Sequence, residues 1–154
     1  MTTVTKTTQI LVHTSLQATF DYVSDLSRHP EWSGGLRIEE VEPGPVAVGK
    51  EYISHGVVVA QKDRPNTVRV SHYEPPHTFG FVSEDLDFGE ISHVFTFHEE
   101  GGAVIILRTM TVSMNPFVAI LFQLFIYPLI SRPSMKKSME VLKMKLDEKV
   151  RVAS

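Results

Sequence analysis

Two side chains of this 154-residue chain have the type and setting for acid–base or anion chemistry, His93 and Arg108. Within Glu90–His98, residues Ile91, His93, Phe95 and Phe97 share one face at period two, opposite Ser92, Thr96 and His98. The aromatic set belongs against a core, which carries His93 inward. There an imidazole serves as general base or hydrogen-bond anchor, because its pKa lies near neutrality. The plainer alternative is a histidine that satisfies a neighbour or the backbone. Arg108 shares its parity with Val104, Ile106, Met110 and Val112. Ile105, Leu107, Thr109 and Thr111 make an equally acceptable inner face, so parity leaves its direction open. Pointing inward, it requires a ligand carboxylate or enolate or an internal Glu, since an unpaired buried charge is costly. Pointing outward, it is an ordinary surface arginine. His93 and Arg108 are the candidate catalytic pair.

The established local templates are missing. Trp32-Ser33-Gly34-Gly35 lacks the strand–turn–helix setting of a nucleophile elbow, and His29-Pro30-Glu31 is a turn, not a zinc-binding helix. No Gly-rich phosphate loop occurs. With no cysteine, thiolate catalysis, disulfides, Fe–S clusters and Cys-ligated zinc are excluded. The seven histidines are scattered singly, and neither a metal nor a cofactor is expected.

The elements that must position His93 and Arg108 follow from periodicity. Gln9–His13 reads as a short strand behind a Thr-rich lead. Thr14 and Gln17 form a capping box, and Leu16, Phe20 and Val23 make the stripe of a helix ending near Asp25. Ser27–Gly35 is a turn or short helical kink. Strands with period two follow at Leu36–Val41, Lys50–Ala60, Thr67–Tyr73, His77–Ser83, Glu90–His98 and Ala103–Val112. Their breaks are Pro43-Gly44-Pro45, Arg64-Pro65-Asn66, Pro75-Pro76, Asp87-Phe88-Gly89 and Glu99-Glu100-Gly101-Gly102, short enough for antiparallel hairpins. Inner faces are Val68, Val70 and His72 on one strand and Phe79, Phe81 and Ser83 on the next. The long strand offers either Ile53-His55-Val57 or Tyr52-Ser54-Gly56, which leaves His55 undecided.

Asn115-Pro116 starts a helix, with Val118, Leu121, Phe122 and Phe125 at helical spacing and Pro128 and Pro133 as kinks or interruptions. Met135, Met139, Leu142 and Leu146 resume the apolar stripe. The run Pro116–Ile130 is too short to span a bilayer, which needs about 20 apolar residues, and reads as a buried helix. A sheet must cover this C-terminal helix, and their imperfect fit leaves space for a cavity.

Composition agrees with one α+β domain, residues 8–150. A chain that is 42% hydrophobic and 21% charged can form a core, and is neither disordered nor a coiled coil. Fifteen Lys/Arg against eighteen Asp/Glu, net −3, argues against nucleic acid as partner. The charge is uneven: residues 132–151 hold seven Lys/Arg and three Asp/Glu. The polar start Met1–Thr8 lacks a signal core, so a cytoplasmic location is expected.

The segments Val23-Ser24-Asp25-Leu26 and His29-Pro30-Glu31-Trp32 resemble the N-terminal signature of the START-like (SRPBCC, Bet v 1-like) superfamily. Val48-Gly49-Lys50-Glu51-Tyr52, Val70 through Pro75-Pro76, and Glu99-Glu100-Gly101-Gly102 extend the likeness, which is nearest to the polyketide cyclase/dehydrase-like group. It implies a helix-grip fold: a curved antiparallel sheet of about seven strands around a long C-terminal helix, with two short helices after the first strand. It also implies a hydrophobic cavity and no one activity. Phe20 and Trp32 would line the space under the first helices. His72, Phe79, Phe81 and Phe95 would line it from the sheet, and Phe122 and Phe125 from the C-terminal helix. The leading expectation is binding of a lipid, polyketide, isoprenoid or aromatic compound between sheet and C-terminal helix. A polyketide cyclase or dehydratase using His93 is the second. A lipid carrier in transient membrane contact through Phe122–Ile130 and nearby lysines is the third.

Overall fold

The Thr-rich N-terminus, β-favouring and alternating in burial, is a full strand, β1 (Thr2–Val12), longer than the short strand expected at Gln9–His13. The computed structural model describes residues 1–34, 36–58, 61–85 and 89–153. After β1 come α1 (Leu16–Ser24), a 3-10 turn (Leu26–Glu31), β2 (Arg37–Glu40), β3 (Glu51–Val58), β4 (Gln61–Glu74), β5 (Thr78–Asp85), β6 (Gly89–Glu100) and β7 (Ala103–Met114). An unbroken helical path follows: α2 (Pro116–Leu121), a π-wound stretch (Phe122–Ser131) and α3 (Arg132–Ala153). The described strands form one seven-stranded antiparallel sheet in the order β1-β7-β6-β5-β4-β3-β2. This is the helix-grip architecture, with the last strand closing against the first.

Local chemistry explains most element boundaries. Gly101 and Gly102, at φ +59 and +82, form the two-residue β6–β7 hairpin, a turn that needs two left-handed residues. The Pro75–Pro76 peptide is cis and joins β4 to β5. Asn115 caps α2, accepting from the Phe117 amide at 2.9 Å.

Several expectations are corrected. The N-cap of α1 is Ser15, which accepts from the Ala18 amide; the Thr14 hydroxyl instead donates to the Leu146 carbonyl of α3 at 2.7 Å. Arg64-Pro65-Asn66 is not a turn, because β4 runs through it with Pro65 opposite His55. The described β4–β5 register begins only at Thr67, so Pro65 stands where β4 is paired on one side, a position that tolerates a missing N–H. The expected ends and break at Gly35, Ala60 and Asp87-Phe88 lie outside the described residues. On β3, Tyr52 and Ser54 are buried and Ile53 is exposed, which puts His55 on the outer face by alternation.

The C-terminal helix is not interrupted at its prolines. Pro128 has no N–H for the α-helical ladder, and the wider π winding around it carries the chain through. The stripe Met135, Met139, Leu142 and Leu146 is buried as the spacing predicts. Its last three residues pack with Val12, Phe20, Phe79 and Phe95 in the main core, whereas Met135 joins Val4, Met110, Val112, Met114, Ala119 and Phe122 in a second cluster. The expectation of a buried helix at Pro116–Ile130 fails. Phe117, Leu124 and Leu129 are 68%, 62% and 72% exposed, because only one side of this stretch meets the sheet.

Candidate functional site

Strand register brings the two candidate residues together. Phe81 pairs with His93 across β5–β6, and Phe95 pairs with Arg108 across β6–β7. His93 is therefore the diagonal neighbour of Arg108 on the concave face, within reach of a long side chain. The Arg108 guanidinium donates from an Nη to His93 Nδ1 at 3.3 Å. That contact leaves the imidazole proton on Nε2, making His93 a donor in turn. The His93 ring stacks on Phe81 with centroids 5.0 Å apart, and the guanidinium carbon lies 5.4 Å from the Phe95 centroid.

These groups border a cavity of about 240 Å³ between the concave sheet and the segment after α1. Leu26, His29, Trp32, Ser33 and Leu36 roof it; the sheet residues Ile38, Ser54, Asn66, Val68, Phe81, Ser83, Ile91, His93 and Arg108 form its floor. The C-terminal helix contributes none of these residues, which corrects the expected location. Met139, Leu142 and Leu146 are fully buried under α3, and this cavity lies instead against the 3-10 turn and the described residues that follow it. Trp32 has a second side: it also borders a surface cleft with Pro133 and Lys137 of α3.

Placement of the other candidates is mixed. Trp32 and Phe81 line the cavity. Phe20, Phe79 and Phe95 lie fully buried in the packed core next to it. Phe122 belongs to the second cluster under α2, and Phe125 is 57% exposed. His72 faces solvent. The β4–β5 register shifts between Val70 and His72, and this bulge reverses the alternation, turning Tyr73 inward against Phe20 at 5.6 Å.

His29 is an interior residue that spacing does not reveal, since a 3-10 turn has no long periodicity to read. It is 3% exposed, and its Nε2 donates to the Val23 carbonyl at 2.7 Å. Its ring lies 4.5 Å from that of Trp32 and 5.7 Å from that of Phe81. Ser54 and Ser83 fall within the parity sets of their strands, but nothing local marks them as cavity-lining.

The electrostatics of the cavity are one-sided. Burial lowers the His29 pKa to about 4, with the Arg108 charge adding to the effect and the Val23 carbonyl opposing it. Burial, then Arg108, holds His93 well below its ordinary value. Burial also brings Arg108 down to about 10, so it remains a cation at neutral pH. Both imidazoles are then neutral. Arg108 is 9% exposed, its Nε has no hydrogen-bond partner, and no carboxylate is among the described residues lining the cavity. The Trp32 Nε1, on a side chain 2% exposed, also has no partner. Among the described residues no three His, Asp or Glu stand together for a metal ion.

This helix-grip fold is shared with solved structures of low sequence identity. The di-domain ARO/CYC StfQ from the steffimycin biosynthetic pathway matches with TM-score 0.75 at 9% identity, over 96% of this chain and 52% of that one. The chain thus spans about half of that protein. TTHA0849 from Thermus thermophilus matches at 0.68 and 17% identity, over 98% of this chain and 99% of that one. Ara h 8.0201 matches at 0.66 and 13%, over 99% of this chain and the whole of that one. No protein-family model and no curated protein matches the sequence.

Proposed function

We propose that the cavity binds a small hydrophobic molecule bearing one anionic or strongly hydrogen-bond-accepting group: a carboxylate, enolate or polarised carbonyl. The observation that carries this reading is the Arg108 cation, buried without a carboxylate on the cavity wall and with an unpartnered Nε. A buried charge without a counter-charge destabilises a fold, and a ligand anion is the partner that removes the penalty. Trp32, whose Nε1 is also without a partner, borders the same cavity. A cavity of about 150 Å³ holds benzene, so 240 Å³ suits one substituted ring, two fused rings or a short branched chain. Burying one ring against Phe81, Val68 and Ile91 contributes about 4–6 kcal/mol. A charge-assisted hydrogen bond adds about 1.5–3 kcal/mol, which brings affinity toward the micromolar range.

Native mass spectrometry of the purified protein tests for a retained ligand, and calorimetry with one- and two-ring aromatic carboxylates against the matching alcohols tests the anchor. The acids bind at least tenfold tighter than the alcohols, and Arg108→Met removes the preference. Failure of every acid and alcohol to bind, with an empty mass spectrum, overturns the reading.

A catalytic version of the same site is favoured by the Arg108–His93 contact and by the likeness to proteins described as ARO/CYC. In a polyketide cyclase or dehydratase, the substrate's enolate oxygen would draw the Arg108 guanidinium away from His93 Nδ1, and that freed nitrogen would take the proton from the adjacent carbon. Turnover of a poly-β-ketone that survives His93→Ala unchanged excludes that role.

A further inference from the structure

The stretch Pro116–Ile130 presents a surface that the cavity does not use. Phe117, Ile120, Leu121, Leu124, Phe125 and Leu129 are all exposed and stand at intervals of three, one, three, one and four residues, so they follow one side of the helix as it passes from α into π winding. The opposite side is fixed. Ala119 and Phe122 are buried against Val4, Met110 and Met114 of the sheet, and the Lys6 ammonium lies 4.7 Å from the Tyr127 ring centroid. The stripe is thus held outward by packing. An 18-residue window in Pro116–Glu148 has mean hydropathy 1.4 and is only 11% buried. Such a contiguous apolar patch is unusual on a soluble monomer and marks a contact surface.

Charge identifies the partner. No Asp or Glu occurs between Met114 and Met139, and the turns following the stripe carry exposed Arg132, Lys136 and Lys137. We propose that this face docks on the surface of a membrane containing anionic lipid. Phe117, Leu124, Phe125 and Leu129 enter the boundary between headgroups and acyl chains, and the basic collar meets the lipid phosphates. A second copy of the chain fits less well, because the same stretch offers no acidic residue to answer the collar. The helix lies in the interface and does not cross it, since its inner side stays seated on β1 and β7. This docking does not depend on what the cavity binds.

Flotation with vesicles of equal parts phosphatidylcholine and phosphatidylglycerol tests it, with pure phosphatidylcholine as control. The protein floats with the mixed vesicles and loses binding at high salt. Arg132→Gln/Lys136→Gln/Lys137→Gln weakens partitioning about a hundredfold. Phe117→Ser/Leu124→Ser/Leu129→Ser abolishes it while leaving the circular dichroism spectrum and thermal midpoint unchanged, as exposed positions allow. The proposal is overturned if the native protein does not float, or if the serine variant floats equally well. It is also overturned if light scattering shows a native dimer that the serine variant dissociates and that ignores vesicles.

Discussion

Acidification from pH 7 to pH 5 should destabilise this fold through His29. The residue is buried, and its pKa falls from 6.5 to about 4, principally through loss of hydration. Between those two values the unfolded chain binds a proton that the folded chain refuses, so stability decreases as pH falls. The contribution is intact above about pH 6.5 and exhausted below about 4. Its full size is about 3 kcal/mol, and about 2 kcal/mol of it is lost by pH 5. For a domain of this length that is a decrease of roughly 4–8 °C in Tm. His93, also lowered by burial, acts in the same direction. Urea unfolding of the native protein and of His29→Gln at both pH values isolates the effect, because Gln retains a donor for the Val23 carbonyl and cannot titrate. The variant should lose about 2 kcal/mol less than the native protein over the interval. An equal loss in both proteins, or a His29 proton resonance that titrates near pH 6.5 in the folded state, would refute the reasoning.

Three further outcomes are expected. Leu142→Ala empties a fully buried position under α3 and should cost about 2–5 kcal/mol in urea denaturation. Gly80→Ala should cost about 1–3 kcal/mol, since a Cβ there would stand 3.1 Å from the His93 carbonyl oxygen and 2.9 Å from His72 Nδ1; an unchanged midpoint would mean that the β4 bulge relaxes freely. Arg108→Met should leave Tm at pH 7 unchanged or raise stability by about 1 kcal/mol, because it removes a buried charge whose Nε is unpaired. A marked fall would assign Arg108 to structure and not to a ligand.

Strand periodicity makes much of the sheet legible. The β5–β7 pairings, the Gly101–Gly102 hairpin and the inward set Ile91-His93-Phe95-Phe97 all follow from alternation and turn chemistry. The α3 stripe is equally clear, because four apolar residues at 0, 4, 7 and 11 admit one buried face. The departures have particular causes. His72 lies outside because a single bulge reverses parity, and Thr14 is not a cap because its hydroxyl is taken by α3. His29 is legible only as part of a turn because a 3-10 turn leaves no stripe.

The sequence by itself determined which residues can face inward together, since that depends on local backbone period and on the steric demands of Gly and Pro. It also excluded thiol chemistry and favoured a single α+β domain. Tertiary structure alone decided that Arg108 points inward, that it meets His93 along a register diagonal, and that the cavity lies beneath Trp32 and not beneath the C-terminal helix. It also turned the apolar run at Pro116–Ile130 outward. The physical reason is the same in each case. An apolar pattern states what a segment would gain by burial, and only the placement of the other elements determines whether anything is there to bury it.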